Sequence, residues 1–190
     1  MVEVWSEELR YDYPLSKDSI VFDIGGFEGT WAYNIYSKYL CNVLVFEPVK
    51  EFYNIIKSKF KEQDRIQIYN YGLGVKDETL LIGVGGCTTS VFNKTENNEQ
   101  VEIKDILPII SRFTKIDLVK INIEGAEYDL LEYIIENGLQ TKLDNIQIQF
   151  HNNITDHEKR RQNIREELIK THHTTYDYAY THENWKRNEK

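Results

Sequence analysis

A run of glycines and two carboxylates are the residues in this sequence whose types and spacing could do chemistry. Asp23-Ile24-Gly25-Gly26-Phe27-Glu28-Gly29 closes a short, mostly apolar run that begins at Ser19. Glycines there let the backbone turn sharply and approach a ligand closely. A dinucleotide fingerprint needs G-x-G-x-x-G. Counting back from Gly29 gives Gly26 and then Ile24, so the first glycine is missing. Asp23 stands just before that position, where a carboxylate repels phosphate and pairs with a cation. The loop therefore suits a cofactor without a pyrophosphate. Glu47, 18 residues beyond Gly29, ends the next apolar run, where a carboxylate can accept both hydroxyls of a ribose. An ordinary tight turn, or an acid at a helix N-terminus, would account for either feature alone. Together, Asp23 and Glu47 suggest a cationic nucleoside, with S-adenosylmethionine the leading candidate. Ile24 disfavours a nicotinamide dinucleotide.

These residues need strands and helices to hold them, and the sequence alternates the two. Strand patterns cover Ser19–Ile24, Val43–Glu47, Ile66–Tyr71, Asp117–Asn122 and Asn145–Phe150, with shorter extended pieces at Thr79–Ile82 and Val101–Ile103. Helical spacing runs from Trp31 to Leu40, through Phe52, Ile55, Ile56 and Phe60, and through Leu130, Leu131, Ile134 and Ile135 to a stop at Gly138. A short helix is expected near Ile106–Ile110, with Pro108 in its first turn. A polar helix is expected from about His157 to Lys170, and an outer strand over Thr174–Tyr180. This rhythm implies βαβ units: an α/β fold with a mostly parallel sheet and helices on both faces. Residues 1–18 read as a lead-in and 83–100 as a Gly-rich surface excursion of one domain spanning 1–190. Neither an internal repeat nor a domain linker is evident.

Composition limits what the chain does. Its 190 residues are 41% apolar and include 13 Tyr, 8 Phe and 3 Trp, ample for a packed core. A net charge of −8 argues against nucleic acid as a partner. The basic cluster Lys159-Arg160-Arg161 with Arg165 is diluted by Glu158, Glu166 and Glu167, as on a solvated helix face. No apolar run approaches the roughly 20 residues of a membrane span, and Met1-Val2-Glu3-Val4-Trp5 lacks the features of a signal peptide. Cys41 and Cys87 make neither a disulfide framework nor a zinc site. A cytoplasmic protein is expected.

Val21-Phe22-Asp23-Ile24-Gly25-Gly26-Phe27-Glu28-Gly29, Val45-Phe46-Glu47-Pro48 and Val119-Lys120-Ile121-Asn122-Ile123-Glu124-Gly125-Ala126-Glu127 resemble three successive signatures of FkbM-type methyltransferases. The similarity covers about Ile20 to Asn153, with continuation to Trp185. It implies the Rossmann-like class I fold, S-adenosylmethionine as cofactor, and O-methylation of a sugar hydroxyl on a glycan or glycosylated metabolite. By the resemblance, Asp23, Gly25, Gly26 and Gly29 line the methionine part, Glu47 the ribose, and Tyr71 and Gly72 the adenine. Relatives commonly have Lys-x-Asp-x-Glu-Gly and Glu-x-His where this chain has Lys120-Ile121-Asn122-Ile123-Glu124-Gly125 and Gln149-Phe150-His151. Each change replaces a carboxylate by its amide, which neither acts as a base nor holds a hard cation well.

Either the catalytic burden falls on Glu124, Glu127 and His151, or the site is weakened. His151 is the best candidate base, since a histidine with a pKa near 6.5 is a neutral acceptor at pH 7. A metal role for Glu124, His151 and Asn152 has no diagnostic spacing, so no metal ligand is assigned and dependence on a divalent cation stays open. His172 and His173 read as surface residues, and Cys87 as uncatalytic. Two alternatives stand beside sugar O-methylation. One is methyl transfer to nitrogen, carboxylate or another small acceptor; the other is a degenerate S-adenosylmethionine binder without turnover.

Overall fold

Along β1 (Ile20–Ile24), Val21 and Asp23 alternate with Phe22 and Ile24, and all four are buried, so the strand needs cover on both faces. The computed structural model describes residues 6–83 and 98–189 and provides that cover. One face of the sheet packs Val21, Val43 and Val45 against α1 (Thr30–Tyr39) and α2 (Lys50–Lys59) through Trp31, Ile35 and Ile56. The other face packs Phe22, Ile24, Phe46 and Ile121 against α3 (Ile106–Ser111), α4 (Glu127–Glu136) and α5 (His157–Leu168).

The remaining strands are β2 (Asn42–Phe46), β3 (Ile66–Tyr69), β4 (Gly72–Gly74), β5 (Glu78–Gly83), β6 (Asn98–Asp105), β7 (Leu118–Ile121), β8 (Asn145–Ile148), β9 (His172–Tyr178) and β10 (His182–Arg187). With β1, six of them form a seven-stranded sheet in the order β3-β2-β1-β7-β8-β10-β9, parallel except for β10. The order reverses between β1 and β7, and ligands in open α/β sheets bind beyond such a switch point. A second, three-stranded sheet, β4-β6-β5, follows β3.

Most expected elements are present, with changes at their edges. The third strand stops at Tyr69, where Asn70 turns the chain by donating through Nδ2 to the carbonyls of Glu47 and Pro48. Pro108 does sit in the first turn of α3, where its missing N–H has no partner to lose, and Asp105 caps that helix by accepting from Leu107 N–H at 2.9 Å. Most of the excursion over 83–100, including Cys87, lies outside the described residues, while its ends belong to the antiparallel pair β5/β6. The basic cluster is more than a solvated face. Arg160 pairs with Asp129 and Glu132 of α4, and Arg161 and Arg165 pair with buried Glu183 and with Asp177, so α5 is bolted to its neighbours by charge. His172 is fully buried and bonded to the Leu143 carbonyl and Thr171, whereas His173 is exposed as expected. Among the described residues, no helix is long and apolar enough to cross a membrane.

Candidate active site

The loop after β1 is built so closely against its neighbours that side chains do not fit. Gly25 has φ +83°, and a Cβ there would lie 2.0 Å from the Asn122 carbonyl oxygen. At Gly26 a Cβ would lie 2.4 Å from Val45 Cγ1. Both glycines therefore bring bare backbone to the floor of a cleft of about 510 Å³ at the switch point. The loop after β7 forms the facing wall with Asn122, Ile123 and Glu124. Phe27 (φ +49°) and Glu124 (φ +55°), one on each side, are non-glycine residues in the left-handed region, a strain that collects at functional sites.

Glu47 reaches the cleft from the end of β2 and is buried. Its Oε2 accepts from Phe27 N–H at 2.7 Å and its Oε1 from Val49 N–H at 2.9 Å. Those two bonds fix the carboxylate and leave acceptor capacity for a diol. Burial pushes its pKa up to about 7, and the two backbone donors only partly offset this.

Asp23 sits behind the loop, fully buried, and reaches the cleft indirectly. It is paired across the β1/β7 register with Lys120, whose Nζ donates to Asp23 Oδ1 at 2.8 Å and to the Gly25 carbonyl at 2.5 Å. Burial still holds the Asp23 carboxyl above its ordinary range, against the pull of Lys120. Sequence reasoning read Lys120 only as part of a motif. The signal for its role was a lysine inside the apolar run Leu118–Ile121, since a buried ammonium needs a carboxylate partner.

Glu124, Glu127 and His151 do come together. Glu127 is fully buried and accepts from Gly125 N–H (2.8 Å) and His151 N–H (2.7 Å), and its Oε1 lies 3.0 Å from His151 Nδ1. On the other side of the ring, His151 Nε2 lies 3.5 Å from Glu124 Oε1. Burial works against a charged ring, but the hydrogen bonds to Glu124 and Glu127 outweigh it and raise the His151 pKa to about 9. The ring is thus an imidazolium at pH 7, contrary to the neutral acceptor expected from an unperturbed histidine. Of the three, Glu124 lines the cleft. Asn122 and Gln149 face each other through a 3.0 Å bond from Asn122 Nδ2 to Gln149 Oε1.

Two of the expected cofactor residues point elsewhere. Gly29 caps α1 with φ +75°, and a Cβ there would meet Ile56 and Phe60 at 3.2 Å, so its role is helix packing. Tyr71 lines a separate groove of about 210 Å³ with Phe46, Tyr69 and Arg112. Its neighbour Gly72 does line the cleft, beside Leu73 and Val75. The lead-in, by contrast, is part of the site. Its 3₁₀ turn (Glu7–Tyr11) contributes Glu7, Arg10 and Tyr11 to the cleft wall. Gln147 Nε2 on β8 donates to the Arg10 carbonyl (2.9 Å) and to the Tyr13 hydroxyl (2.6 Å), and Tyr39 Oη on α1 donates to the Tyr11 carbonyl (2.9 Å). His182, on the neighbouring strand β10, is pushed down to about 3 by burial and then by the charges of Arg10, Lys120 and His151.

The residues present fit S-adenosylmethionine. Gly25 and Gly26 bring bare backbone to the cleft floor, and Glu47, fixed by two backbone donors, offers an acceptor for ribose. From the Glu47 geometry, affinity for S-adenosylhomocysteine is expected to rise between pH 6 and 8, because ribose hydroxyls donate to the ionised carboxylate and favour that form. Glu47→Ala is expected to cost about 1–3 kcal/mol of binding, and Glu47→Gln to remove the pH dependence. Calorimetry showing a pH-independent affinity in the native protein would refute this role.

The comparisons agree with the geometry. Residues 23–178 match the methyltransferase FkbM domain. No curated protein matches the chain by sequence. Among solved structures, an rRNA methylase from Streptococcus thermophilus superposes with a TM-score of 0.55 at 9% identity, covering 92% of this chain and 90% of that one. The METTL16 MTase domain gives 0.55 at 14% identity (96% and 65% covered). The Methanococcus jannaschii fibrillarin pre-rRNA processing protein gives 0.52 at 12% identity (94% and 70%). At such identities these likenesses establish the fold alone. The chain belongs to the FkbM methyltransferase family and is a class I, S-adenosylmethionine-dependent methyltransferase.

Proposed function

We propose that this enzyme methylates a hydroxyl oxygen, with a sugar as the acceptor. The observation that carries the reading is Glu124, a carboxylate on the cleft wall beside the glycine floor, braced through His151 by buried Glu127. Bound in the cleft, S-adenosylmethionine supplies a methyl group on a positively charged sulfur. A hydroxyl is a poor nucleophile until its proton is removed, so a base is needed where an amine would need only orientation. Glu124 takes the acceptor proton on its carboxylate. His151, charged at neutral pH, holds Glu124 in place, and Glu127 orients the ring. The cleft also carries Tyr11 and Asp129, an aromatic face and a charged hydrogen-bonding group that suit a polyhydroxylated ring.

A screen of sugars and nucleotide-sugars, read by release of S-adenosylhomocysteine with and without Mg²⁺, tests the proposal. Turnover of a hydroxyl acceptor is expected. Turnover of amines or carboxylic acids alone would reject it.

A second reading, a binder without turnover, is favoured by the Asn122–Gln149 amide pair. The two readings differ in what restored carboxylates do. If the amides are compatible with catalysis, EDTA leaves native turnover unchanged, and Asn122→Asp with Gln149→Glu raises affinity for Mg²⁺ or Mn²⁺, since hard cations prefer charged oxygens. Firm cofactor binding with no native turnover, and activity gained by the double variant, would favour the binder. Native turnover abolished by EDTA would show that the amide pair does not disable a metal site.

A further inference from the structure

Among the described residues, seven buried side-chain atoms lack a hydrogen-bond partner. Such atoms are uncommon in native proteins and each needs an explanation. Here three of them, Arg10 Nε, Trp31 Nε1 and Asn122 Oδ1, belong to residues that line one cleft. A fourth, Asp23 Oδ2, belongs to the strand that feeds the cleft's glycine loop. Two are donors and two are acceptors.

Their carriers are held in place by bonds made elsewhere. The backbone of Arg10 is tied to Gln147, and its guanidinium to Glu7. Trp31 is buried in the first turn of α1, immediately after the glycine loop. Asn122 spends its Nδ2 on Gln149 and its backbone N–H on the Ile24 carbonyl, which leaves Oδ1 over. Lys120 adds a buried ammonium on the cleft wall, already bonded to Asp23 and the Gly25 carbonyl. Donors therefore come from the lead-in and α1, and acceptors from the ends of β1 and β7.

We infer that these orphaned groups form the receptor for the zwitterionic amino-acid end of the cofactor. Arg10 Nε–H and Trp31 Nε1–H donate to its carboxylate, and Asn122 Oδ1 accepts from its ammonium. The chemistry is that of a free α-amino acid, which presents a carboxylate and an ammonium side by side. The location commits it to the cofactor rather than to an acidic acceptor, because Trp31 directly follows the glycine loop, the Asn122 backbone packs against Gly25, and Arg10 lines the same cleft. The receptor rests on the use of S-adenosylmethionine. It also gives the lead-in a role in affinity and accounts for an amide serving at position 122, since a neutral oxygen suffices as an acceptor.

The test compares two nucleosides by calorimetry: S-adenosylhomocysteine, and 5′-methylthioadenosine, which lacks the amino-acid group. In the native protein S-adenosylhomocysteine is expected to bind more tightly. Arg10→Gln is expected to weaken S-adenosylhomocysteine by about 10–100-fold and leave methylthioadenosine unchanged, the range for losing a charge-assisted bond. Trp31→Phe, which keeps the ring and removes only the N–H, is expected to give a smaller loss with the same selectivity. Equal weakening of both nucleosides would mark a merely structural role and overturn the receptor, as would unchanged affinity in both variants. A native protein that binds neither nucleoside would instead remove the cofactor assignment on which the receptor stands.

Discussion

Replacing Glu124 by glutamine is expected to lower kcat by about 10²–10⁴-fold, the usual share of a general base, with affinity for S-adenosylhomocysteine unchanged. The substitution keeps the side-chain shape and the contact to His151 but removes the proton acceptor. Near-normal turnover in Glu124→Gln would reject the assignment. The pH profile separates Glu124 from His151 as the base. Burial opposes the charged ring, yet the bonds to Glu124 and Glu127 raise its pKa to about 9. His151 therefore stays an imidazolium through neutrality. With Glu124 as base, kcat falls as pH rises above about 9, as the imidazolium that braces Glu124 is lost. A rate that climbs through pH 9 to a plateau would transfer the role to neutral His151.

Lys120→Met is expected to destabilise the fold by about 3–5 kcal/mol, because it strands a carboxylate that water does not reach. For a chain of this size that is a drop in Tm of about 6–20 °C. Asp23 is fully buried with Lys120 as its bonded partner, and the same ammonium also ties down the Gly25 carbonyl. The loop is therefore expected to loosen with the fold, and S-adenosylhomocysteine to bind more weakly. Combining Lys120→Met with Asp23→Asn should recover much of the stability, since no charge is then left unpaired. A Tm within about 2 °C of native for Lys120→Met alone would show that Asp23 does not depend on the pair.

The strands that bury both faces were legible because long apolar runs bounded by glycine or proline have few other homes. The same logic missed β10. Its sequence, His182-Glu183-Asn184-Trp185-Lys186-Arg187, reads as surface, yet its first four residues are buried between β8 and β9. Glu183 tolerates this position because Arg161 and Arg165 of α5 neutralise it, and Asn184 donates to Thr175. No pattern within β10 reports partners that lie on another helix and another strand.

Within the site, the sequence by itself determined the glycine floor, Glu47 at the end of β2, and the grouping of Glu124 with Glu127. Each has a local signature: the left-handed turn at Gly25, an acid at a strand end, and residues three apart across one turn. Tertiary structure alone decided the rest. It placed Arg10 against Gln147, 137 residues away, making the lead-in a wall of the cleft. It turned Tyr71 into a different groove and Gly29 into a helix contact. It set the charge of His151 by closing two carboxylates around one ring. Periodicity and spacing record what a segment does with its own neighbours. Charge state, burial of polar groups and cleft walls depend on which distant segments meet, because electrostatic energy and desolvation are properties of the assembled surroundings.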